Sequence, residues 1–451
     1  MKFWVLLVLA ACGDDGGNHH QIADAALTDA PIDAPPDAAT NVTVRALDPI
    51  PDITVYFMNP DGSLAATVKT DATGTATAPF TGGSVTTVES FIESDFAFGQ
   101  NYDVHTWLGA KPGDTLLLKQ VSRPTNPPAN QVMTLHVPTG MATDTNYIIG
   151  TTCGEYAPTD PTPGVQEYDS VFNSSCTDAT KMDVTIQGFK GHVPTVVDTM
   201  TLLNVPIPSN GQVDLTAGTF RTASREVDVT NLGTSTAQFG VLESLFGPSS
   251  TSLSTIFFTD NGTTNATVTY PTAFAVAGSR SDITVIRQET MGVRDVIMWG
   301  VPAGTFSLDW SANTTPEFTS KPALDLAAQS WSWTASNGGV PEQAYVIAVA
   351  GTRLNYAFQW SVYGAANGTS SLAFPTLPTD VADFTLTGDD TLQVAELLAH
   401  SLGWDAIRQG IGVTDDLEPP IAVSATGKLA YTYYQDPPMT LQRRKHAVIN
   451  R

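Results

Sequence analysis

The sequence predicts an all-β fold, with tandem β-sandwich domains behind a disordered acidic tether. Three observations carry this. From Asn41 onward apolar and polar residues alternate with a period of two, as in Val42-Thr43-Val44-Arg45-Ala46 and Asp183-Val184-Thr185-Ile186-Gln187, the spacing that puts every second side chain on one face of a strand. Short runs of this kind are separated by turn dipeptides such as Asp61-Gly62, Asn210-Gly211 and Asn261-Gly262, which tolerate the positive φ of tight hairpin turns. Charged residues make up only 15% of the chain, against about 25% in an average soluble protein. Thr, Ser, Asn and Gly fill the difference, a composition poor in the residues that favour long helices.

At 451 residues the chain is too long for one ordinary core, and roughly 100–200 residues per domain gives about three or four domains. Forty-five acidic against 21 basic residues leave a formal charge of −24. Such a surface repels polyanions, which argues against DNA or RNA as a partner; solubility is the plain account of the acidity. The sequence contains no apolar run of about 18 or more residues, the length a transmembrane helix needs.

The N-terminus reads differently from the rest. Met1-Lys2 supplies a positive start and Phe3 to Ala11 is apolar, matching the 7–15-residue hydrophobic region of a secretory signal. Leu9-Ala10-Ala11-Cys12 follows, and it resembles the bacterial lipobox. The resemblance implies that residues 1–11 are a lipoprotein signal peptide. It also implies that Cys12 carries diacylglycerol on its thiol and an acyl chain on its amino group, several chains being what makes a lipid anchor stable. Gly13 rather than an aspartate stands next to the cysteine, which implies export to the outer membrane or cell surface, with the membrane as a partner through the anchor.

Residues 12–39 repeat an Asp-Ala-Pro theme at Asp29-Ala30-Pro31, Asp33-Ala34-Pro35 and Asp37-Ala38, and residues 13–40 hold six aspartates with no Lys or Arg. Almost nothing there can be buried to offset the ordering entropy, so a disordered spacer is expected, stiffened by proline and extended by like charge. His19-His20 in this setting reads as solvated. A lipobox followed by such a tether looks like the surface lipoproteins of myxobacteria and their relatives.

The body divides at its turns into segments 40–138, 139–235, 236–335 and 336–451. In the first, "ITVYFMNPDGSLAATVKTDATGTATAPF" (residues 53–80) resembles the regulatory-like domain named after carboxypeptidases, a small transthyretin-like β-sandwich whose role is non-catalytic. His105 to Leu118 then predicts a strand, a Lys111-Pro112-Gly113-Asp114 turn and another strand. The second segment holds Cys153 and Cys176. With Cys12 assigned to lipid, these two remain, and an exported chain can oxidise them to a disulfide, worth about 3 kcal/mol in the chain-entropy model. In the third, Ser254 to Thr259 and Asn265 to Tyr270 flank Asp260-Asn261-Gly262 and predict a hairpin. In the fourth, Tyr345 to Ala350 and Tyr356 to Tyr363 are the clearest strands, and residues 391–409 fit a strand pair or a short helix equally. Arg443-Arg444-Lys445 reads as a surface tail.

Motifs of chemistry are missing. The sequence holds no G-x-S-x-G, H-E-x-x-H, Walker A or EF-hand loop, so no catalytic residue, metal ligand or cofactor is assigned. His105 and His136, at strand positions, suit structural or surface roles. Asp389-Asp390 and Asp415-Asp416 are sequence neighbours that would point to opposite faces of a strand, and read as solvated turns. Trp331 and Trp333 are two apart and would share one face of a strand; exposed, they could stack on a sugar ring, while burial in the core is the plainer alternative. The expectation is a non-catalytic, lipid-anchored envelope protein with a structural, adhesive or ligand-binding role, its partner a glycan or envelope protein. The alternative is a secreted carbohydrate- or peptide-acting hydrolase whose site no motif reveals.

Overall fold

Strands follow the alternating runs along the whole body. The computed structural model describes residues 41–46, 50–91, 100–118, 131–138, 145–151, 154–156, 167–172, 180–190, 195–220, 224–233, 238–246, 252–261, 265–271, 280–302, 304–353, 356–366, 370–408 and 427–436. Segment 40–138 contains β1 (Asn41–Ala46), β2 (Thr54–Met58), β3 (Leu64–Lys69), β4 (Thr75–Pro79), β5 (Gly83–Phe91), β6 (Gln100–Ala110), β7 (Thr115–Leu118) and β8 (Gln131–His136). Segment 139–235 contains β9 (Asn146–Thr151), β10 (Gly154–Tyr156), β11 (Glu167–Phe172), β12 (Lys181–Lys190), β13 (Thr195–Pro206), β14 (Gln212–Asp214) and β15 (Ser224–Thr230). Segment 236–335 contains β16 (Gln238–Phe246), β17 (Ser252–Asn261), β18 (Ala266–Pro271), β19 (Arg280–Glu289), β20 (Gly292–Trp299), β21 (Thr305–Asp309), the one-turn helix α1 (Trp310–Asn313), β22 (Ala323–Asp325) and β23 (Ser330–Ser332). Segment 336–451 contains β24 (Ala344–Arg353), β25 (Tyr356–Ala365), β26 (Ser371–Ala373), a 3-10 turn at Thr379–Phe384, β27 (Thr391–His400), the short helix α2 (Trp404–Arg408) and β28 (Gly427–Asp436).

The turns are built by aspartates. At Asn59–Ser63 the Asp61 carboxylate accepts from the Ser63 N–H and hydroxyl, and Gly62 supplies a φ of +82°. Asp71 does the same for Thr73, with Gly74 at φ +73°, and Asp214 for Thr216. Asp309 caps α1 by accepting from the Ala312 N–H. These hydrogen bonds hold all four carboxyls below the ordinary aspartate range, because they favour the charged form. Residues 391–408 do not form a strand pair: the single strand β27 ends at His400, and the short helix α2 begins at Trp404.

Among the described residues, twelve strands form one sheet in the order β17-β16-β19-β20-β28-β27-β24-β25-β6-β5-β2-β3. Segments 40–138, 236–335 and 336–451 all contribute to it, so hydrogen bonding runs across the turn-defined boundaries rather than stopping at them. Its neighbours are antiparallel except β6 and β25, which run parallel with Trp107 beside Tyr363 and His105 beside Ser361. Both outermost ladders carry a register shift, at Phe57/Met58 in β2·β3 and at Leu245/Phe246 in β16·β17. The hairpin expected around Asp260-Asn261-Gly262 does not form: β17 pairs with β16 in the long sheet, whereas β18 pairs with β15 in another. A local turn signal says that the chain reverses, and here the two strands are drawn into different layers.

Shorter sheets cover the long one. Sheet β4-β1-β7 lies on one face and builds a core in which Val42, Val44 and Leu116 meet Val55, Trp107, Tyr363, Leu398 and Tyr431. On the opposite face, sheet β22-β23-β26 covers a core of Val104, Trp331, Tyr345, Trp360 and Leu397, and sheet β18-β15-β21 covers Val241, Ile283, Val285 and Val296. Sheets β10-β9-β12-β13 and β11-β8-β14 form a separate sandwich around Leu135, Ile149, Ile186 and Val213. The fold class is all-β with sandwich-like sheets.

A buried ion pair fastens one cover to the long sheet. Arg225 of β15 is fully buried and donates from Nη2 to Glu243 Oε1 of β16 at 3.0 Å. Its Nη1 donates to the Pro302 and Gly304 carbonyls, and the Ser281 hydroxyl donates to Glu243. Glu243→Ala leaves the guanidinium buried without its counter-charge and should cost about 3–5 kcal/mol, measurable as a fall in denaturant midpoint; an unchanged midpoint would show that the pair is not buried as described.

Candidate functional site

Of the residues singled out from sequence, Cys12, Cys153 and Cys176 lie outside the described residues, as do His19, His20 and the Asp415-Asp416 pair. Trp331 and Trp333 share a face, but that face is inside: they are 1% and 5% exposed. Trp331 sits on β23 between Leu324 and Leu372 and meets the Tyr434 ring edge-on at 6.2 Å, while Trp333 packs on Tyr345 at 4.6 Å. Burying two indoles against the long sheet is what holds the three-stranded cover β22-β23-β26 in place, so these tryptophans form core and not an exposed stacking row. Asp390 is also not a solvated turn residue: its side chain is fully buried and binds the Arg353 guanidinium. His136 is part-buried and lies 2.6 Å from the Gln212 carboxamide oxygen.

The concentration of chemistry lies on the face of the long sheet that sheet β4-β1-β7 also uses. Asp103, His105 and Trp107 alternate along β6, so their side chains share that face. Register brings Glu89 opposite Asp103 and Thr87 opposite His105 on β5, and Ser361 and Tyr363 alongside on β25. His105 Nε2 lies 3.0 Å from Asp103 Oδ2, and Nδ1 lies 2.7 Å from the Tyr363 hydroxyl. A carboxylate only accepts, so Nε2 donates to it. In that tautomer Nδ1 is the acceptor, and Tyr363 donates to it. Burial, reinforced by the Asp103 charge, pushes the Tyr363 hydroxyl far above its ordinary range, so it stays protonated as a donor. The imidazole lies nearly parallel to the Tyr363 ring, at 4° and 5.9 Å, and stacks at 6.0 Å on Trp107.

This carboxylate–imidazole–phenol chain uses both nitrogens of His105 within the protein. It fixes the tautomer and the ring plane, and it leaves no ring nitrogen to take a proton from a substrate. Glu89 and Asp103 are two carboxylates on one face, directly opposed across strands, but both are buried. Farther along the same face the Tyr433 hydroxyl donates to Glu396 Oε1 at 2.7 Å. No group of three or more His, Cys, Asp or Glu side chains is arranged to hold a metal ion among the described residues. Asp103 and His105 were findable as a D-x-H pair on one strand face; Glu89 and Tyr363 join them only through pairing.

No protein-family model matches the chain, and no curated protein matches it. Among solved structures it is similar, at 10% identity and a TM-score of 0.14, to a structure titled the Bacillus anthracis TIE protein, over 60% of this chain and 50% of that one, so it spans half the length of that relative. A Ca2+-stabilized adhesin from an Antarctic bacterium that binds ice matches at 12% identity and a TM-score of 0.13, over 88% and 98%. A tetra-tandem repeat from the extending region of a large adhesion protein matches at 12% and 0.13, over 80% and 95%.

A second histidine has a different setting. His400 ends β27 beside Tyr431, is fully buried, and neither ring nitrogen has a hydrogen-bond partner. Burial alone pulls its pKa from 6.5 down to about 4. The folded protein therefore holds it neutral while the unfolded chain takes up a proton. Its influence on stability is absent above pH 6.5, grows as the pH falls from 6.5 to 4, and is complete below 4. The loss amounts to on the order of 3 kcal/mol. His400→Leu should flatten the fall in melting temperature across that window, with both proteins followed by calorimetry; parallel curves would refute the assignment.

Proposed function

We propose that this chain is a lipid-anchored protein of the bacterial cell envelope, held by Cys12 behind an acidic tether, with a non-catalytic structural, adhesive or ligand-binding role. The carrying observation is that, among the described residues, the groups that could have done chemistry at the His105 patch are used inward. Both nitrogens of His105 are committed to Asp103 and Tyr363, the opposed carboxylates of Glu89 and Asp103 are buried, and the tryptophans that suggested a sugar platform are core. A long sheet covered on both faces suits a rigid display body. The lipobox-like Leu9-Ala10-Ala11-Cys12 and the Asp/Ala/Pro spacer support anchoring outside the cytoplasm, where Cys153 and Cys176 would be free to form a disulfide. The stretch at residues 53–80 supports a regulatory-like, transthyretin-like module near the anchor, with the non-catalytic role of that family.

Two experiments test the reading. Cys12→Ser should abolish membrane fractionation and lipid labelling in a bacterial host that processes lipoproteins; unchanged fractionation would sink the anchor. A soluble form lacking residues 1–12 should retain glycan, peptidoglycan or an envelope protein in a pull-down and leave a broad panel of glycosides and peptides uncleaved. Turnover of any of them, lost on Asp103→Asn, would replace this reading with the hydrolase.

A further inference from the structure

Beside the His105 chain, three side-chain atoms have no hydrogen-bond partner: Thr87 Oγ1, Asn101 Nδ2 and Asp103 Oδ1. Their residues are 1%, 6% and 3% exposed. They belong to one patch, because β5·β6 pairing puts Thr87 opposite His105, so that Thr87 and Asp103 are diagonal neighbours, about 7–8 Å apart at Cα. Asn101 precedes Asp103 by two strand positions, about 7 Å away on the same face. Asp103 Oδ2 is already taken by His105, so Oδ1 is the central orphan and the other two flank it.

The three atoms are chemically distinct. Asp103 Oδ1 only accepts, the Asn101 amide nitrogen only donates, and the Thr87 hydroxyl does either. An anion would face both Asp103 and the Glu89 carboxylate opposite it, and a cation beside Asp103 Oδ1 would face the Asn101 amide hydrogens. Two hydroxyls satisfy the set, one on each side of Asp103, since each oxygen accepts from Asn101 or Thr87 while its hydrogen goes to Asp103. One bridging oxygen spans about 5–6 Å between two polar atoms, which matches neighbours of this separation once their side chains lean together. Leaving such atoms unmatched in the interior costs about 1–3 kcal/mol each, and buried waters characteristically make about three bonds to groups of this kind.

We propose that Thr87, Asn101 and Asp103 form an internal binding site for hydroxyl groups, supplied by solvent water or by a small polyol, and that the bound hydroxyls extend the Asp103–His105–Tyr363 chain. This holds whether or not the chain is an anchored envelope protein. Thr87→Val keeps the shape and removes only the hydrogen-bonding atom, so the sign of its effect decides the matter. With a hydroxyl bound, the full-length variant loses one of its anchors and melts lower by roughly 2 °C; with nothing bound, valine relieves an unmatched hydroxyl and the protein melts at the same temperature or higher, which overturns the proposal. A high-resolution crystal structure should place ordered oxygen density within hydrogen-bonding reach of Asp103 Oδ1 and Thr87 Oγ1, and dry density there overturns it as well. Glycerol or a monosaccharide that raises the melting temperature of the natural protein but not of Thr87→Val identifies a polyol source; no such difference, with density present, identifies water. Calcium chloride that stabilises the natural protein but not Asp103→Asn assigns the patch to a cation instead and ends the proposal.

Discussion

Everything in the long sheet depends on one ladder, the parallel pairing of β6 with β25. On one side of that seam lie β6, β5, β2 and β3; on the other lie the eight strands from β25 to β17. A parallel ladder is slightly weaker per residue than an antiparallel one, and here it joins segments some 250 residues apart, which makes closing it entropically slow. Side chains reinforce it on both faces. On one, Tyr363 bonds to His105 and stacks at 5.6 Å on Trp107. On the other, the Trp360 indole N–H donates to the Thr106 hydroxyl at 3.1 Å, and Tyr102 meets Tyr356 edge-on at 5.3 Å. Polar and aromatic side chains on both faces thus reinforce the joint where the backbone pairing is weaker.

That placement explains why catalytic-looking groups are found in a core. Asp103, His105 and Tyr363 fix one register of β6 against β25, since a slip of one residue would carry His105 to the opposite face and leave three polar groups unmatched. Arg225 with Glu243 does the same work between layers, and Arg294 repeats it farther along the same face as that pair, donating to Glu289 at 2.7 Å while lying over the Trp310 ring at 5.6 Å. Burial raises the Glu289 pKa, and Arg294 and Arg287 counter it. Such groups add less to stability than an apolar replacement would, but they exclude alternative pairings.

Local structure was legible in the sequence to the extent that it depends on neighbours in the chain. Alternation placed β2 to β5, β9, β12, β24 and β25, and Asp61, Asp71 and Asp114 marked turns because the carboxylate accepts a nearby backbone N–H, two residues on for Asp61 and Asp71 and three residues back for Asp114. Spacing also put Trp331 and Trp333 on a common face, and Asp103 with His105. What alternation does not carry is which face is covered. That depends on sheet β22-β23-β26, whose strands come from positions up to 50 residues apart, and it turned an expected platform into core. Pairing between distant segments was illegible for the same reason: nothing near Gly99 or Tyr356 in the chain announces that β6 and β25 will meet. The hairpin expected after Asp260 went astray because a turn signal names a reversal, not the partner.

Among the described residues the twelve-stranded sheet ends on β3 and β17, and an edge strand presents a row of backbone donors and acceptors able to recruit another strand. The register shifts in β2·β3 and β16·β17 fall in the ladders that carry those edges, where the extra residue increases local twist. At β3 the strand is only six residues long and ends on Lys69, whose charge would have to be desolvated by any newcomer. The consequence is colloidal: at its β3 end the sheet is built to resist being lengthened by a strand from a second copy.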